Sequence, residues 1–182
     1  MPESTPHVAL LRGINVGSSR RIAMQRLREI FAELGHPDAV TYLQSGNVIF
    51  DATAAGAGDL ATRLEAAIEA EFGLRVRVLV RSRDDLAAVV AGNPMPERAA
   101  DPARLLVAFL SEAPLVHTTN ALGPAAFFGA DFAVRGRETY LFCPETVKMT
   151  LLSGDVWEKS LAVTATLRNW NTVTRLASMT QG

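Results

Sequence analysis

Two polar stretches in the first half of the chain carry residue types that could bind an anion. Residues 12–21 hold three arginines, an asparagine and two glycines, and residues 44–47 read Gln-Ser-Gly-Asn. A guanidinium group matches the geometry of phosphate and carboxylate, and glycine lets the backbone come close to a ligand. The candidate ligand-binding residues are Arg12, Gly13, Asn15, Gly17, Arg20, Arg21, Gln44, Ser45 and Asn47.

The elements around the first stretch predict where it lies. The apolar run 8–11 predicts a short buried strand, and apolar residues at helical spacing over 24–34 predict an amphipathic helix. The stretch therefore connects the end of a strand to the start of a helix. Free N–H groups and the positive end of the helix dipole favour an anion at such a start.

The rest of the first half predicts a small sheet covered by helices. Runs 40–43 and 48–50 predict two strands joined by the hairpin 44–47. A loop over 52–58, a helix from Asp59 to Gly73 and an alternating strand over 75–81 follow. The order β-α-β-β-α-β is that of the ferredoxin-like split βαβ unit. Its usual strand order, 4-1-3-2, brings residues 12–21, 44–47 and 75–77 to one end of the sheet.

The second half predicts the same order of elements, without residue identity to the first. Its elements are a strand at 105–110, a short helix at 120–128, a hairpin of 132–134 and 139–142, a helical region at 147–161 interrupted at Gly154, a strand at 162–167 and a closing helix at 170–179. We therefore predict an α+β protein of two ferredoxin-like halves, residues 1–82 and 104–182. A linking helix and a Pro-rich loop occupy 83–103.

Four stretches carry a family resemblance: LLRGINVG at 10–17, TYLQSGNV at 41–48, Asn93-Pro94, and RNWNTV at 168–173. Together they resemble the bacterial family called domain of unknown function 1697, over essentially the whole chain. The resemblance implies two ferredoxin-like halves and no activity. Two positions depart from the family pattern. Ser-Ser-Arg-Arg stands at 18–21 where glycine and lysine are expected, and Leu167 stands where threonine is more usual.

The sequence lacks the motifs of several common ligand-binding and catalytic sites. Three residues separate Gly13 from Gly17, where the Walker loop has four, and no Lys-Ser/Thr follows, so the first stretch is not a Walker loop. The chain has no G-x-G-x-x-G and no G-x-S-x-G. Its three histidines and one cysteine lack metal-ligand spacing, so we predict no metal and no cofactor. A net charge of −1 argues against a dedicated nucleic-acid domain.

Structural interpretations stand beside the functional one. Asn15, the glycines and residues 45–47 are also typical of tight turns, and Arg12 could tie parts of the fold together. The alternating arginines of 75–81 are typical of an exposed edge strand. Asn169 or Asn171 suits the N-cap of the closing helix. The alternative is that this helix start belongs to a cleft between the halves, with secondary candidates Arg168, Asn169 and Asn171.

Our leading hypothesis is a small binding module for a phosphate- or nucleotide-like anion, or for a nucleic-acid backbone. The alternatives are an enzyme that stabilises an anion by arginine and amide groups without a metal, and a structural or protein-interaction module. The single cysteine and the lack of a signal peptide predict a cytoplasmic protein. Because no apolar run approaches about 18 residues, we predict no membrane partner. We expect a monomer or a homodimer.

Overall fold

The computed structural model describes residues 4–17, 20–144, 149–152 and 155–181. The chain forms two compact units, Met1–Ala88 with Leu176–Gly182, and Val89–Arg175. Each unit contains one four-stranded antiparallel sheet with helices packed on it. The predicted α+β class is confirmed, and the element order is consistent with two ferredoxin-like halves.

The first unit follows the predicted order. Its elements are β1 (Thr5–Leu11), α1 (Met24–Glu33), β2 (Val40–Tyr42), β3 (Asn47–Ala52), α2 (Ala54–Phe72) and β4 (Val78–Ser82), and α3 (Arg83–Ala91) comes next. The sheet order is β2-β3-β1-β4, which is the predicted order 4-1-3-2. Leu10 pairs with Asn47 and Leu11 with Val78, so the end of β1 lies beside the starts of β3 and β4.

The second unit repeats this sheet with shorter helices. After a 3₁₀ turn (Pro96–Ala100), the elements are β5 (Leu105–Leu110), α4 (Val116–Asn120), a second turn (Ala126–Gly129), β6 (Asp131–Arg135), β7 (Glu138–Phe142), α5 (Met149–Leu152), α6 (Val156–Leu161), β8 (Ala165–Asn169) and α7 (Trp170–Met179). The order β6-β7-β5-β8 has the same topology as the first sheet.

Helix α2 begins five residues earlier than predicted. Asp59 is not near its N-cap. Thr53 is the N-cap, and its hydroxyl accepts the N–H of Gly56 at 3.2 Å. The residues between them include alanines, which have the highest helix propensity, so a capped Ala/Gly stretch forms helix rather than the predicted loop. Gly73 ends the helix at φ 65°, as predicted.

The structure corrects the prediction that the arginines of residues 75–81 lie on the exposed face of an edge strand. The strand begins at Val78, after Arg75 and Arg77, and Arg81 within it is only 2% exposed. Both faces of the neighbouring β1 are buried from Val8 to Leu11. Because the face that carries Arg81 is covered, this arginine is not a charge that guards an exposed sheet.

The helix predicted over 120–128 is wrong. Helix α4 ends at Asn120, and Gly123-Pro124 interrupts the chain before a left-handed turn. In that turn Phe127 and Phe128 have φ values of 53° and 60°. The ring of Phe127 stacks on Trp157 with centroids 4.5 Å apart, so tertiary packing overrides local helix propensity.

Two further boundaries in the second unit differ from prediction. The region 147–161 contains two helices, α5 and α6, and the predicted break at Gly154 lies outside the described residues. Strand β8 starts three residues late, because Ala162 has a left-handed φ of 57° that ends α6. The helix-facing side of each sheet forms its own core, with Leu27, Phe31 and Leu64 in the first and Leu141, Trp157 and Leu161 in the second.

Candidate functional site

The two polar stretches meet at one end of the first sheet. The backbone N–H of Leu11 donates to the carbonyl of Gly46 at 2.8 Å. The N–H of Arg12 donates to the carbonyl of Arg77 at 2.9 Å. The structure therefore brings together the segments 12–17 with 20–21, 44–47 and 75–77, as the topology predicted.

Asn15 joins the β1–α1 loop to the hairpin turn. Its Oδ1 accepts the N–H of Ile22 at 2.9 Å, and its Nδ2 donates to the carbonyls of Ile22 at 3.1 Å and Gln44 at 2.8 Å. Its backbone has a φ of 54°, a left-handed value that asparagine tolerates better than most residues. Both polar atoms of the amide are used in holding the loops, so Asn15 is a positioning residue at this end.

The Arg20 side chain connects the β1–α1 loop to the segment that precedes β4. Its Nε donates to the carbonyl of Gly13 at 2.9 Å, and its Nη2 donates to the carbonyl of Arg75 at 2.8 Å. These bonds use two of the five N–H donors that a guanidinium carries. No carboxylate in the described ranges pairs with Arg20, so its positive charge is not neutralised there.

Arg21 is also exposed and has weaker contacts. Its Nη2 lies 3.5 Å from the carbonyl of Gly17, and no described acidic side chain pairs with it. Arg20 and Arg21 thus place two adjacent uncompensated guanidinium groups on one loop. Arg12, at the start of the same loop, is half-buried.

The start of α1 lies directly after these arginines. Its N-cap is Ala23, which provides no side-chain hydrogen bond, and the first turn contains no acidic residue. The first N–H groups of the helix are therefore without a side-chain cap. The helix dipole and the two guanidinium groups all contribute positive potential at this end.

The hairpin turn contributes both structural and exposed groups. Asn47 is buried, and its Nδ2 donates to the carbonyl of Tyr42 at 2.9 Å and to Ser45 Oγ at 3.1 Å. Gln44 and Ser45 are exposed. Among the predicted site residues of the turn, Asn47 therefore maintains its shape, while the side chains of Gln44 and Ser45 face solvent.

The glycines of this end serve two different purposes. Gly13 and Gly17 are exposed at φ 62° and 64°, and a Cβ on either would meet no atom within 4 Å. Open space therefore adjoins the backbone at both positions. Gly46 has a φ of 81°, and a Cβ there would lie 2.7 Å from Leu11 Cβ. Its lack of a side chain permits close packing of the turn on β1.

A cleft of about 160 Å³ adjoins this end and is lined by Glu65, Glu69, Arg75, Val76 and Arg77. Arg75 pairs with Glu69 at 2.9 Å, and Arg77 pairs with Glu65 at 3.0 Å. Each arginine of the cleft thus has a carboxylate partner. In this respect they differ from Arg20 and Arg21.

Comparison with known proteins identifies the family. A family model described as a protein of unknown function, DUF1697, matches residues 4–140. The chain belongs to the DUF1697 family. The resemblance inferred from the sequence motifs is therefore confirmed.

A solved structure shows the same fold as this DUF1697 chain. The conserved bacterial protein SP0830 from Streptococcus pneumoniae matches with a TM-score of 0.69 and 21% sequence identity, over 97% of this chain and 99% of that chain. At this identity the similarity concerns the fold alone. Comparison with curated proteins finds no match.

Within residues 4–17, 20–144, 149–152 and 155–181, no group of three or more His, Cys, Asp or Glu side chains could hold a metal ion. No helix in those ranges is long and apolar enough to cross a membrane. Cys143 is buried, and that burial raises the pKa of its thiol.

The secondary candidates of the DUF1697 chain lie in the second unit. Arg168 is buried, and its Nη1 donates to Thr166 Oγ1 at 2.8 Å and to the Leu167 carbonyl at 2.7 Å. Asn169 Oδ1 accepts the N–H of Thr172 at 3.0 Å and so caps α7. Asn171 is exposed on the first turn of that helix. Asn169 is thus the N-cap of the two that the sequence left open.

The sequence did not indicate that Arg81 is buried in the same position as Arg168. The pairing of β4 with β1 places Arg81 opposite Val8, and the pairing of β8 with β5 places Arg168 opposite Val107. The sequence feature that could have indicated this burial is an arginine followed by an N-cap residue and a helix, which occurs at Arg81 and again at Arg168. Ser82 fills that N-cap position after Arg81 as Asn169 does after Arg168, and Ser82 Oγ accepts the N–H of Asp85 at 3.1 Å.

Proposed function

We propose that the β1–α1 loop end of the first unit binds a small anionic ligand through a phosphate group. One observation carries this proposal. Arg20 and Arg21 are adjacent, exposed and without a carboxylate partner among the described residues, at the start of a helix that lacks a side-chain cap.

The positive charge of the two arginines is not balanced by a carboxylate among the described residues. The partners of Arg20 are neutral carbonyls, and a hydrogen bond to an anion is roughly twice as strong as one between neutral groups. An anion beside the first turn of α1 gains a further 0.3–1 kcal/mol or so from the helix dipole. The chain as a whole has a charge of −1, so this local excess of positive charge favours a small ligand over a long nucleic acid.

The remaining predicted residues would act in supporting roles. Asn15 and Asn47 hold the loops in place, and Gly13 and Gly17 leave open space beside the backbone for a ligand. The side chains of Gln44 and Ser45 would add neutral hydrogen bonds. In this arrangement the two arginines provide the binding energy and the hairpin turn provides selectivity.

Titration with inorganic phosphate at constant ionic strength tests the proposal. Two-dimensional ¹⁵N–¹H NMR spectra should show the largest shifts at the amides of residues 13–17 and 24–26. Arg21→Ala should weaken binding about tenfold, the equivalent of about 1.4 kcal/mol. The matched control is Arg135→Ala, because the Arg135 side chain is also exposed and, among the residues that the structure describes, donates only to the Val134 carbonyl. Equal affinity of Arg21→Ala and the unmodified protein would refute the proposal.

A further inference from the structure

Strand β6 lies at an edge of the second sheet. The sheet order β6-β7-β5-β8 gives it one neighbour, β7, and no strand in the described ranges pairs with its other side. Alternate residues of an antiparallel strand turn their N–H and C=O groups away from the neighbouring strand. The outer side of β6 therefore carries backbone groups that can form hydrogen bonds with a further strand.

Among the edge strands that the structure describes, β6 combines length with exposure. Strand β2 has only three residues, and β4 and β8 are mostly buried. The five residues of β6, Asp131–Arg135, are exposed at both ends and half-buried between them. Their sequence contains no proline and no lysine, and they pair with β7 in a continuous register without a bulge. The strand thus lacks three features that commonly protect an edge strand from pairing.

The sequence of β6, Asp-Phe-Ala-Val-Arg, is complementary to itself in the antiparallel direction. A pair centred on Ala133 places Asp131 opposite Arg135 of a second copy on one face of the sheet. It places Phe132 opposite Val134 of the second copy on the other face, because successive residues alternate between faces. Opposite charges and aromatic–β-branched pairs both stabilise neighbouring strands. A shift of one residue would place Phe132 opposite Arg135, so the side chains favour the register centred on Ala133.

The two end charges are available for contacts across such a pair. The guanidinium group of Arg135 donates to the Val134 carbonyl at 3.2 Å and has no carboxylate partner among the described residues. The Asp131 side chain is 65% exposed. Its Oδ2 accepts a hydrogen bond from Arg98 at 3.2 Å, and its Oδ1 accepts none from the described residues. Two charges of the same sign would repel a second copy, whereas these two attract it.

We propose that β6 pairs with β6 of a second copy of this chain, which joins two four-stranded sheets into one continuous antiparallel sheet. In such a two-fold interface each contact occurs twice, so the Asp131–Arg135 contact forms at both ends of the strand pair. Five residues from each chain form a small interface, since stable interfaces bury roughly 1,200–2,000 Å². The expected dimer is therefore weak, with a dissociation constant on the order of 10–100 µM. At much lower concentrations the chain is a monomer, and its stability does not depend on these edge contacts.

Sedimentation equilibrium of the unmodified protein and of charge variants tests the proposal. Asp131→Arg or Arg135→Asp puts like charges opposite each other, so each should weaken dimerisation at least about tenfold. The double variant Asp131→Arg with Arg135→Asp brings opposite charges together again and should restore the dimer. Arg63→Asp makes the same change at an exposed arginine of α2. It is the matched control and should leave dimerisation unchanged.

Covalent capture tests the register with a variant that changes no charge. The two-fold axis places Ala133 opposite itself, with Cα atoms about 4.5–5.5 Å apart, which suits a disulfide. In the presence of oxidised glutathione, Ala133→Cys should form a disulfide-linked dimer. The unmodified protein should not, because its one cysteine, Cys143, is buried. A monomer at every concentration up to about 500 µM, dimerisation unchanged in the single charge variants, or no covalent dimer of Ala133→Cys would overturn the inference.

Discussion

Arg168 occupies in the second sheet the position that Arg81 occupies in the first. Arg81 is opposite Val8 on the central strand β1, and Arg168 is opposite Val107 on the central strand β5. Both arginines are buried. Burial lowers the pKa of Arg168 to about 10, because the charged form is removed from water. Hydrogen bonds to protein acceptors are therefore needed to keep a guanidinium at this position.

Replacement of Arg168 by alanine is expected to lower the free energy of unfolding by about 2–4 kcal/mol. Thr166 Oγ1 and the Leu167 carbonyl would lose the Nη1 donor inside the protein. Arg81→Ala should give a loss of similar size, because it vacates the equivalent position. Urea denaturation measures both, with exposed Arg135→Ala as a control that changes stability by less than about 0.5 kcal/mol. A loss at only one of the two buried positions would contradict their equivalence.

Gly46→Ala is expected to destabilise the first unit by about 3 kcal/mol, from both strain and overlap. Gly46 has a φ of 81°, and its added Cβ would lie 2.7 Å from Leu11 Cβ and 2.9 Å from Ile14 Cδ1. Gly13→Ala is the matched control. Gly13 has a φ of 62°, but its added Cβ meets no atom within 4 Å, so only about 1 kcal/mol of backbone strain applies. Equal losses in urea denaturation would show that packing against Leu11 is unimportant.

The sequence predicted the fold well where local pattern and tertiary packing agree. The run at Leu105–Leu110 is buried at every position and was predicted with those bounds. Gly73 ends α2 because the left-handed conformation there suits glycine, which is a local property. The turn at Phe127 was not predictable, because its backbone conformation is accompanied by stacking on Trp157, which is distant in sequence.

The sequence located the candidate site but did not assign roles within it. Topology alone predicted that residues 12–21 and 44–47 would share one end of the sheet. The amide of Asn15 was predicted to contact a ligand or to serve a turn, and only its bonds to Ile22 and Gln44 show the part it has in the loops. The burial of Arg81 depends on both sheet faces being covered, which an alternating pattern cannot reveal.

Thr139→Val is expected to stabilise the second unit by about 1 kcal/mol. Thr139 Oγ1 is buried and has no hydrogen-bond partner among the residues that the structure describes. Valine has the same shape and does not bury a hydroxyl group. Thr166→Val is the contrasting control, because Thr166 Oγ1 accepts a hydrogen bond from Arg168 Nη1 at 2.8 Å, and it should lower stability. A stability loss at Thr139 comparable to that at Thr166 would indicate a partner for the Thr139 hydroxyl.

Tyr140→Phe is expected to lower the free energy of unfolding by about 1–2 kcal/mol at neutral pH. The Tyr140 hydroxyl donates to the carbonyl of Val89 at 2.7 Å, and both groups are in the second unit. Phenylalanine would keep the ring packing but leave that carbonyl without this donor. Urea denaturation of both proteins measures the difference. Arg135→Ala is again the control, because the Arg135 side chain is exposed and its replacement removes no buried hydrogen bond.

The same hydroxyl predicts a loss of stability at alkaline pH. Burial, with a smaller contribution from Glu138, raises the pKa of Tyr140 from 10.0 to about 12, and Arg135 opposes the shift. The folded protein holds this proton more tightly than the unfolded chain, so the contribution is complete below about pH 10 and is lost as the pH rises toward 12. Between those values the free energy of unfolding should fall more steeply for the unmodified protein than for Tyr140→Phe. Urea denaturation at half-unit steps from about pH 9 to 12 measures both slopes, and parallel curves would show that Tyr140 does not titrate in this way.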